Sequence, residues 1–177
     1  MEKLGPIWKN QAIIDCDIHN IPPSIKTLHP YLSDHWVDYT TFSAFKEPDA
    51  SDYPAGAPTS ACPDFISKTK TPLGSSLNLM REQVLDPWAL EYGILTCAYQ
   101  VQSVHNEQLG AALASAVNTW QIETWLDSEP RLKASLVVPS QNPLLAAQEI
   151  ERLGHHPGFV QVMLPVRSQT PYGNHLY

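Results

Sequence analysis

The chain has 177 residues, 43% of them hydrophobic and 16% charged, which excludes global disorder and gives one globular domain or part of one. A net charge of −7 and a pI near 5.4 exclude the basic stripe that displaces counterions from phosphates, so no nucleic-acid partner is expected. Three widely spaced cysteines, Cys16, Cys62 and Cys97, form no CxxC pair and fit a reducing compartment; with no apolar signal core in residues 1–11 and no run near the ~18 apolar residues of a membrane span, a cytoplasmic chain without a membrane partner is expected.

A polar lead-in gives way at Ala12 to the first predicted strand, Ala12 to Ile18. The run Ala12-Ile13-Ile14 is apolar and β-branched, as a buried parallel strand should be, yet it ends in Asp15, Asp17 and His19, where a core strand carries no charge. Asp17 and His19 stand two apart and so project to the same side of an extended chain, with Cys16 and Ile18 opposite. A carboxylate beside an imidazole suits a divalent ion such as zinc or manganese. The same residue types at a strand end equally serve to cap a turn. Asp15 shares the face of Asp17 and is expected to orient His19, or else to be a third ligand.

From about residue 20 to 76 the pattern breaks. Eight of the 16 prolines fall here, at Pro22, Pro23, Pro30, Pro48, Pro54, Pro58, Pro63 and Pro72, so the segment reads as an insertion and not a regular connection. Within it, Leu32, Trp36 and Tyr39 share one face of a short helix expected over Pro30 to Thr41. His29 and His35 nearby read as surface residues more readily than as ligands. Leu77 to Tyr92 is expected as an interrupted helix, restarted at Pro87 and ended by Gly93. A second strand follows at Ile94 to Ala98. Asn106 caps a helix to about Leu126, with Leu109, Ala112, Leu113, Ala116, Val117 and Trp120 as its apolar stripe. Leu132 to Val138 is the third strand; Asn142 caps a helix over Pro143 to Leu153 with Gly154 beyond it; Phe159 to Leu164 is the fourth strand. His155 and His156 follow the helix end, where a structural role suffices. Helices between all successive strands favour a parallel sheet, either a (β/α) barrel or a doubly wound sheet. No GxGxxG, GxxxxGK[ST] or GxSxG occurs, which removes the commonest nucleotide and serine-hydrolase fingerprints.

The run Ile14-Asp15-Cys16-Asp17-Ile18-His19 resembles the opening strand of the amidohydrolase-related proteins, in the branch of aminocarboxymuconate-semialdehyde decarboxylase and the resorcylate-type decarboxylases. The resemblance continues in order through Met80-Arg81, Asp86, Tyr92-Gly93-Ile94, Asn106, Asn118-Thr119-Trp120, Trp125-Leu126-Asp127, Pro130-Arg131-Leu132, Ala146-Ala147, Glu149 to Arg152, Leu164-Pro165 and Pro171 to Asn174. It implies a TIM-like barrel with Asp17 and His19 as metal ligands, further histidine ligands on later strands and a catalytic aspartate on the last. Barrels take ~250 residues, so the resemblance places this chain as the amino-terminal part, about four β/α units.

The resemblance implies a metal-dependent hydrolase or non-oxidative decarboxylase acting on a small carboxylated or cyclic organic substrate, inactive as these units alone. Arg167, just past the fourth strand, is expected to clamp a substrate carboxylate, with a solvated loop arginine as the alternative. A different class stays open beside it: a non-catalytic α/β module that binds or self-associates as a homo-oligomer through unpaired sheet edges. The barrel order brings Asp17, His19, the Gln100 to His105 loop, Ser140 and Arg167 to one rim, with the insertion above it.

Overall fold

The computed structural model describes residues 11–48, 71–165 and 170–175. Four strands form one sheet: β1 (Ile14–Ile18), β2 (Tyr92–Leu95), β3 (Leu132–Val137) and β4 (Phe159–Met163). Each pairs in parallel with the next, in the order β1-β2-β3-β4. A doubly wound sheet would set β1 between later strands, so the observed order excludes it and fits part of a TIM-like barrel. Among the described residues the sheet is open, with β1 and β4 as its outer strands.

Among the described residues four α-helices accompany the strands: α1 (Asp34–Phe42), α2 (Leu77–Met80), α3 (Glu107–Gln121) and α4 (Pro143–Leu153). The starts of α2, α3 and α4 follow from side-chain acceptors that satisfy otherwise orphaned first-turn N–H groups. Asn106 Oδ1 accepts from the Gln108 and Leu109 amides at 3.1 Å, and Asn142 Oδ1 from Leu145 at 3.1 Å, with Pro143 in the first turn. The stripe expected on α3 is buried at Leu109, Leu113, Ala116, Val117 and Trp120, while Ala112 is half-buried. Both α2 and α3 run on into one π turn, Arg81–Leu85 and Ile122–Leu126. The second of these turns buries Trp125, whose ring meets Trp120 edge-on at 6.0 Å.

Two expectations are corrected. The helix begun at Leu77 ends at Leu85, and Gly93 is no helix cap: it lies in β2, paired with Asp15 on one side and Leu132 on the other. A Cβ at Gly93 would stand 2.5 Å from Ile18 Cδ1, so the glycine serves close strand packing. Gly154 follows α4 in right-handed helical backbone (φ −62°), with its N–H donating to Ile150 O.

The described part of the insertion is anchored to the domain. Leu28 is fully buried, Ile25, Tyr31, Leu32 and Trp36 pack on the core, and the Tyr31 hydroxyl donates to Glu123 at 2.8 Å. The turns Ile25–Thr27 and His29–Tyr31 precede α1. The predicted face of α1 is seen in the edge-on contact of Trp36 with Tyr39 at 5.8 Å. His29 Nε2 lies 3.3 Å from Thr40 Oγ1, His35 stacks edge-on against Trp36, and His156 Nδ1 accepts from the Gly158 amide. All three have structural partners.

Two polar networks hold the scaffold, and Arg81, Asp86, Arg131, Asn118, Glu149 and Arg152 in them also carry the family resemblance. At the amino end of β3, buried Glu129 accepts from Arg131 Nε at 2.8 Å and Nη2 at 2.9 Å, and from Arg81 Nε at 2.8 Å; Arg131 also reaches Asp86 at 2.9 Å and Arg81 the Ser128 carbonyl. The Arg131 guanidinium, helped by Arg81 and opposed by burial, holds the Glu129 carboxyl down to about 2. In the other network Asn118 on α3 receives the Val137 amide at 2.9 Å, donates to the Val137 carbonyl at 2.8 Å and donates to Glu149 at 2.7 Å. Glu149 in turn pairs with Arg152 at 2.7 Å.

Candidate metal centre

Parallel order sends the carboxyl ends of all four strands to one rim, and β1 delivers Asp17 and His19 there. The strand carries a register irregularity between Asp15 and Ile18, where three β1 steps oppose two on β2. Such an extra residue re-aims side chains. Ile18 is left buried and Cys16 exposed, although strict alternation would put both on one face. Asp17 Oδ1 and His19 Nε2 stand 3.7 Å apart, and the two side chains are 74% and 61% exposed, so an ion can reach both.

Thr96, the first residue past the end of β2, holds this pair. Its hydroxyl donates to Asp17 Oδ1 at 2.8 Å, and its carbonyl oxygen lies 3.0 Å from His19 Nδ1. A carbonyl can only accept, so Nδ1 carries the proton and Nε2 keeps its lone pair. This is the tautomer that leaves Nε2 free to ligate. The Thr96 amide donates to Ile18 O at 2.8 Å, so three consecutive residues of the first strand's end bond to Thr96.

Two ligand atoms about 2.1 Å from a tetrahedral ion stand about 3.4 Å apart; the observed 3.7 Å is within a small side-chain adjustment of that. Asp17 and His19 therefore fit a divalent ion as a donor pair. Among the described residues no cluster of three or more His, Cys, Asp or Glu is arranged to hold an ion.

Other expected residues distribute differently. Asp15 Oδ1 accepts from the Asp17 amide at 3.0 Å, a local turn bond; the orienting role expected of it belongs to Thr96. Residues of the Gln100 to His105 loop follow β2 and Ser140 follows β3, both at the rim end of the sheet; Ser140 is buried. Arg167 lies outside the described residues. Cys97 is buried and its thiol is pushed up to about 12 by that burial, so it stays protonated.

Gly74 is a further residue of the site that pattern-reading passes over. The returning arm of the insertion crosses here, with Gly74 O accepting from the Ile21 amide at 3.0 Å and φ at +72°. A Cβ would stand 2.5 Å from the His19 carbonyl oxygen. Its signal was the Pro72-Leu73-Gly74 turn chemistry; for Thr96 there was none, because a threonine inside an apolar run reads as mid-strand.

Asn20, next to His19, is fully buried and donates to Gln121 Oε1 at 3.3 Å; Gln121 donates to Asn118. The end of β1 is thereby tied to α3 and, through Asn118 and Glu149, to α4. Curated proteins contain no match to the chain. The amidohydrolase family matches over residues 14–177, from the first residue of β1 onward. The match takes in all four strands of the parallel sheet, and the chain belongs to the amidohydrolase family.

Proposed function

We propose that this chain supplies the first four β/α units of an amidohydrolase-type barrel whose metal is held in part by Asp17 and His19. The observation that carries the reading is the bare Nε2 of His19, facing Asp17 Oδ1 at 3.7 Å while Nδ1 is spent on the Thr96 carbonyl. A divalent ion, zinc or manganese, would supply Lewis-acid polarisation of a water or substrate oxygen there. Asp17 provides the hard anionic donor and His19 the neutral nitrogen. Arg167, following β4, is suited to fork a substrate carboxylate. Within the family the likeness to the aminocarboxymuconate-semialdehyde decarboxylase branch rests on the Asp-x-His pair and the ordered motifs. It favours a small carboxylated or cyclic organic substrate, with hydrolysis and non-oxidative decarboxylation sharing the site.

Calorimetric titration with zinc tests the reading. Two protein donors are fewer than the three of a catalytic zinc site, so weak but measurable binding is expected, with negligible turnover by these units alone. Binding should vanish in Asp17→Ala. Tight binding that survives Asp17→Ala would overturn the assignment.

A second reading, self-association of a non-catalytic module, is favoured by the two outer strands: Ile14 on β1 is 54% exposed and Val160 on β4 52%. An apolar groove of about 550 Å³ beside β1, lined by Ile14, Val84 and Trp88 among others, adds to it. Sedimentation of the metal-free chain distinguishes the two: a discrete folded dimer that binds no zinc favours the module. The free thiols Cys16 and Cys97 fit a reducing, cytoplasmic compartment in either case.

A further inference from the structure

Hydrogen bonds from both members of the donor pair converge on one residue at the end of the second strand. We infer that Thr96 is the positioning residue of the donor pair: its hydroxyl fixes the direction of the Asp17 carboxylate and its carbonyl fixes the tautomer of His19. The inference rests on the metal reading of the site for its purpose, but not for its geometry.

The residue is suited to this by burial and by redundancy of contact. Thr96 is 7% exposed, whereas Asp17 and His19 side chains are largely in solvent, so the partner is rigid and the ligands are not. Its backbone is fixed against β1 through the amide on Ile18 O at 2.8 Å, and the next bond in the ladder, Ala98 N to Asn20 O at 3.1 Å, prevents rotation of the segment. Its hydroxyl hydrogen is committed to Asp17, which leaves the Oγ1 lone pairs 3.3 Å from His19 Nδ1. The Nδ1–H is thus shared between Oγ1 and the carbonyl oxygen at 3.0 Å. One oxygen of Asp17 is taken by this bond, so the carboxylate is oriented and its remaining lone pairs stay open to an ion. Outer partners of this kind typically change metal affinity by 10–100-fold.

The experiment uses the whole chain, native and with Thr96→Val and Thr96→Ser. In the metal-free native chain at pH ~8, above the ordinary imidazole range, long-range nitrogen–proton NMR is expected to find His19 protonated on Nδ1. The Asp17 carboxyl carbon should shift in Thr96→Val and stay near its native position in Thr96→Ser. An Nε2–H tautomer, or a carboxyl shift indifferent to both variants, would overturn the inference whether or not the chain binds metal. Zinc titration then gives the consequence: Thr96→Val should lose about tenfold or more in affinity, and Thr96→Ser should restore most of it. Equal zinc affinity in the native chain and in a folded Thr96→Val, or a loss in Thr96→Val that Thr96→Ser shares in full, contradicts the inference. Failure of the native chain to bind zinc, with the Nδ1–H tautomer present, would instead overturn the metal reading alone. Thermal unfolding of each variant separates loss of fold from loss of position.

Discussion

Gly74 holds a left-handed backbone conformation, φ +72°, directly against the carbonyl of His19. A side chain there meets two penalties at once, the cost of left-handed backbone and a contact of 2.5 Å with a main-chain oxygen that no rotamer change relieves. Gly74→Ala is therefore expected to cost about 2 kcal/mol or more and to weaken zinc binding, read from urea unfolding and calorimetry; a neutral effect on both would contradict the packing described. The two cysteines near the site give a second check. Alkylation of the native protein should modify exposed Cys16 and spare Cys97, whose buried thiol is pushed up to about 12, until the chain unfolds. Equal labelling of both, mapped by mass, would contradict the buried placement of Cys97. Asp17 and His19 were legible as a pair because their spacing and position at a strand end suffice to name them. Thr96, Gly74 and the local role of Asp15 were not, since each depends on which neighbour in space the chain brings to β1.

Asn118 shows how a helix is fixed to the sheet. It exchanges both hydrogen bonds with the main chain of Val137 and donates to Glu149, at 2.7–2.9 Å, all in a buried setting. Asn118→Ala would leave the amide and carbonyl of Val137 and one oxygen of Glu149 short of partners, at a cost of about 3 kcal/mol. Urea unfolding measures it, and a loss below about 1 kcal/mol, the worth of a single ordinary bond, would contradict the network. The helices α3 and α4 were legible almost to the residue because a polar cap, an apolar stripe and a proline agree. The second strand was placed two residues late. Its true start, Tyr92-Gly93, offers no apolar alternation, and Gly93 belongs there because Ile18 and Leu132 close over it. That shift hid Thr96 within a strand when it stands at the rim. The π turns closing α2 and α3 had no sequence signal; the bonds from Asp86 N to Arg81 O and from Asp127 N to Ile122 O define them.

At the scale of the whole molecule the two ends of the sheet differ, with the charged clasp around Glu129 at the amino end and the exposed Asp17–His19 pair at the other. Glu129, buried between Arg131 and Arg81, has its carboxyl held down to about 2 against an ordinary 4.5. The folded value lies below the unfolded one, so the clasp contributes fully above about pH 4.5 and is lost as pH falls toward 2, on the order of 3 kcal/mol in all. Glu129→Gln should flatten the fall in stability over that interval and lower stability at neutral pH; an unchanged acid profile would contradict the clasp. The strand order was legible from helices alternating with strands, whereas the open outer strands β1 and β4 became visible only once pairing was known. The central claim, that the first strand presents a metal-binding imidazole and carboxylate, is tested most directly by zinc-edge X-ray absorption of the loaded chain, native and His19→Ala. The native spectrum should show nitrogen and oxygen neighbours at about 2.0–2.2 Å with the outer-shell signature of one imidazole, lost in His19→Ala. Sulfur at about 2.3 Å, or an imidazole signature that persists without His19, would contradict the claim.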